Sequence, residues 1–311
     1  NGRAEASPCR RAGQTRAPAA TPGGTHVTDG GLAVVLSGGG AKTAAHVGAL
    51  RALEERGVRP SRFVGTSMGA VVGAAFAAGL TYDDVLQRVL TLSRRDIARV
   101  SWTLLMGPYA TSLLQPDRLR KTIEFLVPAR RFSQLSSPLT VTAVDAASGD
   151  LVLFGDGGDS RASLVDALTA ACSLPVFYPP TILGGRELVD GGLRSVLPLG
   201  VAVAFEPRLM IGVRVGPSFR ARPAASGGVV PPLLQAHNRA MRTLMAEQTD
   251  AEISRWRGGS VPLILVEPEV HQAATFAIGK VVAYVEEGYR RTVEAVERSS
   301  YRDLLRPSSS E

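Results

Sequence analysis

The segment Phe63-Val64-Gly65-Thr66-Ser67-Met68-Gly69-Ala70 limits what this chain can fold into more than any other, because it asks for a strand that turns abruptly into a helix at a single serine. The Gly-x-Ser-x-Gly spacing permits a strained turn in which Ser67 projects its hydroxyl from the helix start, and Gly65 and Gly69 leave room for neighbouring backbone. The pentapeptide alone is short and also fits a glycine-flanked serine at an ordinary turn. Its surroundings decide between the two readings. Upstream, the apolar run Leu32 to Leu36 enters Ser37-Gly38-Gly39-Gly40-Ala41-Lys42; downstream, Asp190-Gly191-Gly192 follows a short strand-like run.

Two rival readings of the glycine run fail on spacing. A P-loop requires a glycine directly before its lysine and another five residues earlier, whereas Ala41 precedes Lys42 and Leu36 holds the earlier place. The dinucleotide fingerprint needs a third glycine where Thr43 stands.

These islands, in this order, resemble the patatin-like phospholipase family, in particular its bacterial-type and neuropathy-target-esterase-like members. A fourth agrees: Ala171-Cys172-Ser173-Leu174-Pro175-Val176-Phe177-Tyr178-Pro179-Pro180 looks like the family's segment of small residues, proline and an aromatic-proline ending. The resemblance runs from about Leu32 to about Val215 and more loosely to about Val296. It implies a three-layer α/β/α fold around a central, mostly parallel sheet. It also implies a serine acyl hydrolase: Ser67 as nucleophile, Asp190 as the base of a Ser-Asp dyad, and Gly38, Gly39 and Gly40 as the oxyanion hole. Lys42, Met68, Pro175 and Phe177 are candidate substrate-binding residues, the substrates are phospholipids, lysophospholipids or related acyl esters, and no cofactor is implied.

The chain departs from the family at Thr43, where glycine is usual, and at Ser195 in Arg194-Ser195-Val196-Leu197-Pro198, where asparagine is common before the proline. Those departures keep open a lipid-binding or regulatory protein without turnover. An acyltransferase that passes the acyl group to an alcohol is a further alternative. Lys42 can hold the loop, attract a phosphate head group or form a surface ion pair. His46, the nearest histidine, is expected about two turns into the first helix as a packing and hydrogen-bonding residue rather than the base. Ser173 is expected to shape the pocket wall.

Elsewhere the patterning is that of an α/β domain. Strands are expected at Leu32 to Leu36, Arg62 to Val64, Thr140 to Val144, Leu151 to Phe154, Arg186 to Val189, Leu209 to Val215 and Leu263 to Val266. Helices are expected at Ala44 to Glu55, Met68 to Ala78, Thr81 to about Leu92, Pro116 to Leu126 and Leu164 to Ala171, with amphipathic helices at Leu233 to Trp256 and Val281 to Arg298. The small residues Ala44, Ala45, Gly48, Ala49 and Ala52 should let the first helix pack closely on the sheet. Thr81-Tyr82-Asp83-Asp84 reads as a helix cap rather than a carboxylate pair for acid–base work. The apolar stretch Trp102 to Leu114 is either a satellite core or a lid over the site.

Apolar runs alternate with helical stretches from Gly31 to about Gly216 without linker or repeat, and 45% hydrophobic residues in 311 are enough for a sizeable core. This favours one domain, 31–306, between an N-terminal tail (1–30) and a C-terminal end (307–311), both expected to be disordered. A net charge of +7 would suit an anionic partner. Its arginines (Arg10, Arg11, Arg94, Arg95, Arg130, Arg131) are scattered, with no aromatic-interleaved stripe, which argues against nucleic acid. Cys9 and Cys172 do not suggest a disulfide, and the four histidines lack metal-ligand spacing. Phe63 to Leu80 carries no charge, but its glycines and the elbow make it a buried strand and helix rather than a membrane span. A cytoplasmic protein with at most peripheral membrane contact is expected.

Overall fold

Five strands lie parallel: β1 (Leu32–Leu36), β2 (Arg62–Thr66), β3 (Leu139–Asp145), β7 (Leu209–Val213) and β8 (Leu263–Val266). The structure is a computed structural model and describes residues 30–93, 101, 112–219, 232–270 and 280–305. The expected disordered tail and most of the Trp102 to Leu114 stretch lie outside the described residues. Three antiparallel strands, β4 (Leu151–Gly155), β5 (Thr181–Leu183) and β6 (Arg186–Asp190), complete the sheet, whose path runs β5-β6-β3-β2-β1-β7-β8 with β4 on β3. β1 and β7, in the middle of the sheet, are apolar throughout because both faces are covered. In β1, Leu32, Val34 and Leu36 enter one core while Ala33 and Val35 enter a second core on the opposite face.

The larger core receives α1 (Ala44–Glu54), α2 (Met68–Ala77), α3 (Tyr82–Thr91), α4 (Pro116–Leu126), α5 (Leu164–Ala171) and α8 (Val281–Arg298). The smaller is covered by α6 (Leu199–Val203) and α7 (Pro232–Trp256), through Leu199, Ala202, Ile253 and Trp256. The Phe63 to Leu80 stretch is therefore a strand followed by a helix, and no described helix is long and apolar enough to cross a membrane. Thr81 and Asp84 form a reciprocal capping box at the start of α3, so Asp84 has a capping role.

Three expectations need correction. β5 and the short α6 were not anticipated; each is only three to five residues long, too short to show a period. The small residues of α1 serve a helix crossing as well as the sheet: a Cβ on Gly48 would lie 1.8 Å from the Val285 carbonyl oxygen of α8, and one on Gly288 would lie 1.9 Å from that of Ala45. Finally, α7 is far less amphipathic than expected. It buries only Ala246, Thr249 and Ile253 and leaves Leu233 and Leu244 exposed, whereas α8 buries a regular stripe including Val281, Tyr284, Val285, Gly288, Thr292 and Val296.

One feature of the sheet positions the site. β4 occupies one edge of β3 from Thr140 to Val144, so β2 and β6 must share the other edge. On that edge Thr66 of β2 pairs with Thr142, and Asp190 of β6 pairs with the very next residue, Ala143. The two strands therefore approach head to head, each ending where the other ends, about one strand step of ~3.4 Å apart along β3.

Candidate active site

The elbow follows from that meeting point. Ser67 leaves β2 at φ 53° and ψ −136°, a backbone region that costs a non-glycine residue roughly 1–3 kcal/mol, and starts α2 at once. Its flanking glycines are required by close approach: a Cβ on Gly65 would lie 2.5 Å from the Cα of Ala70, and one on Gly69 would lie 2.4 Å from the Ser37 carbonyl oxygen. Ser67 so presented lies beside Asp190, near enough for its hydroxyl to oppose the rise that burial imposes on the carboxylate's pKa.

Asp190 is held from several sides. It is 4% exposed, its amide donates to the Ser173 carbonyl at 3.0 Å, and its Oδ1 accepts the Gly192 amide at 2.8 Å. Burial pushes its pKa up to about 6, against the opposing effect of the hydrogen bonds from Ser67 and the Gly192 amide. A Cβ on Gly191 would lie 2.4 Å from the Thr142 hydroxyl, so glycine is required immediately after the aspartate. Beneath, the Thr66 hydroxyl donates to the Ser195 carbonyl at 3.0 Å and lies 2.8 Å from that of Thr142, tying β2, β3 and the loop after Asp190 together. Ser195 thus contributes its backbone, while its own buried hydroxyl has no partner among the described residues.

The glycine run lies against the elbow, with Ser67 Cβ 3.3 Å from where a Cβ on Gly38 would stand. Its three amides are not equivalent. Gly38 donates to the Val196 carbonyl at 3.0 Å, so of the three expected donors only Gly39 and Gly40 have no acceptor among the described residues. Gly40, at φ 60°, opens a 3-10 turn (Gly40–Thr43) that Thr43 closes by donating its hydroxyl to the Gly40 carbonyl at 2.7 Å. The residue that departs from the family pattern therefore stabilises the loop.

Ser37 anchors the loop's start: its amide donates to Val213, its hydroxyl accepts the Val215 amide at 2.8 Å and donates to the Gly38 carbonyl. His46 Nε2 donates to the Ser37 carbonyl at 2.8 Å. The ring is wholly buried, which pushes its pKa down to about 4 and keeps it neutral. His46 lies in the first turn of α1, nearer the loop than expected, and its Nε2 is committed to the Ser37 carbonyl.

The remaining candidates are distributed around this centre. Lys42 is 4% exposed, which removes the surface ion pair as a reading. Met68 is half-buried, with its sulfur 3.9 Å from Cys172 Sγ. Pro175 and Phe177 are half-buried in the loop after α5, and Phe177 packs against the main core. The Val176 and Phe177 carbonyls accept the Leu113 and Leu114 amides at 2.9 Å, and Val176 adopts φ 73°, unusual for a β-branched residue. The Ser173 hydroxyl is engaged with Thr169 and Thr181, in keeping with a wall residue.

Sequence reasoning missed Cys172. Its buried thiol lies beside Ser67, and burial, then the nearby Asp190 charge, push its pKa well up, so it stays protonated. Nothing in the sequence distinguishes this cysteine from any other small residue in its segment. It also missed the place of α7 at the site: Met245 Cε lies 3.6 Å from where a Cβ on Gly192 would stand, and Gln248 Nε2 donates to the Leu193 carbonyl at 3.3 Å, which places this helix beside the aspartate.

Residues 34–203 match the family model for patatin-like phospholipases. The chain belongs to the patatin-like phospholipase family. An uncharacterized NTE family protein of Mycobacterium bovis is 32% identical over 199 residues, covering 62% of this chain and 52% of that protein. Patatin-like phospholipase domain-containing protein 7 of Rattus norvegicus is 30% identical over 192 residues, covering 61% of this chain and 14% of that one. The chain thus spans about half the length of the first relative and a small part of the second. Among solved structures, VipD from Legionella pneumophila is similar at 15% identity and a TM-score of 0.46, covering 86% of this chain and 67% of VipD.

Proposed function

We propose that this patatin-like protein is a serine acyl hydrolase that cleaves carboxylic esters of phospholipids, lysophospholipids or related acyl lipids through an acyl-enzyme, with Ser67 and Asp190 as a dyad. The observation that carries the reading is the meeting, on adjacent rungs of β3, of the strained Ser67 elbow at the end of β2 with a buried carboxylate at the end of β6, whose pKa burial pushes up to about 6. A base in that range is ionised at neutral pH and still basic enough to accept a proton from an attacking hydroxyl.

In the proposed cycle, Ser67 Oγ attacks the ester carbonyl carbon while its proton passes to Asp190. The carbonyl oxygen becomes an oxyanion held by the Gly39 and Gly40 amides and favoured by the N-terminus of α2, the helix that Ser67 caps. Collapse of this tetrahedral species breaks the bond to the alcohol oxygen, and Asp190 returns the proton to that leaving oxygen. Water, deprotonated by Asp190, then attacks the acyl-enzyme; Ser67 leaves with the proton and the carboxylic acid is released.

The test is labelling by a fluorophosphonate together with hydrolysis of a small ester and lipid panel by the native chain, Ser67→Ala and Asp190→Asn. Labelling at Ser67 is expected in the native chain only, with kcat/KM reduced roughly 10³-fold or more in both variants while folding is retained. Undiminished turnover in either variant would overturn the dyad. Failure of the folded native chain to label or turn over would overturn the hydrolase reading.

A further inference from the structure

A run of glycines is the least constrained backbone a chain can contain, yet an oxyanion hole works only if its donors are already aimed. What aims them here begins one residue earlier. β1 and β7 pair in parallel up to Leu36 and Val213, and the Ser37 amide adds one further bond, to the Val213 carbonyl at 3.1 Å. The next rung of a parallel ladder would run from the Val215 amide to the Ser37 carbonyl. Here the Val215 amide donates to the Ser37 hydroxyl instead, at 2.8 Å, and the Ser37 carbonyl accepts His46 Nε2, also at 2.8 Å.

The hydroxyl proton goes to the Gly38 carbonyl at 3.1 Å. A trans peptide is planar and its N–H points opposite to its C=O, so a hold on the Gly38 carbonyl also sets the direction of the Gly39 amide, which belongs to the same peptide group. The preceding peptide is pinned at both ends: its carbonyl by His46, and its amide, that of Gly38, by the Val196 carbonyl at 3.0 Å. Gly38 therefore has a fixed peptide on each side, although glycine itself turns freely. Ser37 and His46 are both wholly buried, which shields these bonds from solvent.

A residue kept for the fold alone would not need this arrangement, since the ordinary rung from Val215 to the Ser37 carbonyl would join the strands without a side chain. What the hydroxyl adds is the hold on the Gly38 carbonyl. The Ser37 carbonyl would also lie 2.4 Å from a Cβ on Gly69, so the same residue seats the loop against the elbow that carries Ser67.

We propose that Ser37 is a positioning residue for the hydrolysis: its hydroxyl, fixed by the Val215 amide, holds the Gly38 carbonyl and thereby aims the Gly39 amide at the oxyanion that forms beside Ser67. The inference rests on the hydrolase reading and adds to it the side chain that orders one of the proposed donors.

The test compares p-nitrophenyl butyrate with its thionoester, in which sulfur replaces the carbonyl oxygen. Sulfur is a weak hydrogen-bond acceptor, so the thionoester gains little from a well-aimed amide. Ser37→Ala is expected to lower kcat for the oxygen ester about 10-fold or more, with KM changed by less than about 3-fold, and to change turnover of the thionoester by less than about 3-fold. Ser37→Cys, whose thiol is a weaker donor and acceptor, should fall between the native chain and Ser37→Ala. Melting temperatures show which variants are folded. If the alanine variant is not, the cysteine variant carries the same comparison; if neither folds, Ser37 is a structural residue and the proposal fails.

Equal losses on both esters would overturn the proposal, because damage to the dyad or to the fold slows both. Undiminished turnover of the oxygen ester by the variants would overturn it as well. The native chain separates this failure from that of the hydrolase reading: if, folded, it turns over neither ester and does not label with a fluorophosphonate, the hydrolase reading itself has failed and this inference falls with it.

Discussion

Glycine brings backbone against backbone at two places in this molecule, and the outcomes are opposite. At the crossing of α1 and α8, Gly48 and Gly288 let two helices touch with carbonyl oxygens where side chains would normally stand. Neither is among the positive-φ glycines, and the contact surrounds an apolar stripe. The residues that touch here, Ala45, Gly48, Val285 and Gly288, carry no reactive group. At the elbow, Gly65 and Gly69 permit an equally close approach, but they hold a serine at φ 53° beside a carboxylate that burial disfavours. There the packing supports two features that cost stability, as a reactive site requires.

If that contrast is sound, substitutions at the two places should differ in sign as well as in size. The largest effect is expected at the crossing: Gly288→Ala puts a methyl against the Ala45 carbonyl and should destabilise the fold by at least ~3 kcal/mol despite alanine's better helix propensity. Chemical denaturation measures this, and a loss below ~1 kcal/mol would mean that the helices can separate freely.

Next comes Asp190→Asn, which should stabilise the protein by ~2–3 kcal/mol at pH 7. The sign follows from its raised pKa: the folded state binds the proton more tightly than the unfolded chain does, so wild-type stability is lost as pH rises through about 6. The advantage of asparagine should therefore shrink on acidification and vanish near pH 4. A pH series of denaturation curves in which the variant is never the more stable would show that the carboxylate is well solvated.

The smallest effect separates two serine replacements. Ser67→Gly should be more stable than Ser67→Ala by ~1–2 kcal/mol, because only glycine relieves the positive φ. Equal stabilities would mean that the elbow carries no strain.

The same contrast explains what was legible in the sequence. The elbow could be read because its glycines flank a residue with chemistry, at a spacing few other turns require. The strand cores of β1 and β7 were legible from their unbroken apolar runs. Gly48 and Gly288 could not be paired, since nothing in a linear sequence says which helix an isolated glycine will meet. The commitment of the Gly38 amide to Val196 was hidden for a related reason: a backbone donor has no residue type to identify its partner. Lys42 was visible as a cation, but its burial was not, and the approach of α7 to the site was hidden because that helix lacks the clear stripe that would have oriented it.

β3 acts as a ruler for the chemistry above it. Its consecutive residues Thr142 and Ala143 fix the ends of β2 and β6, so the spacing between hydroxyl and carboxylate is determined by one rung of backbone pairing rather than by the many residues that separate them in sequence. The connection between β3 and β6 can therefore lengthen or shorten without moving the two groups apart. A slip of β6 by a single position would instead turn the carboxylate to the far side of the sheet, leaving fold and composition almost unchanged and the hydroxyl without its partner.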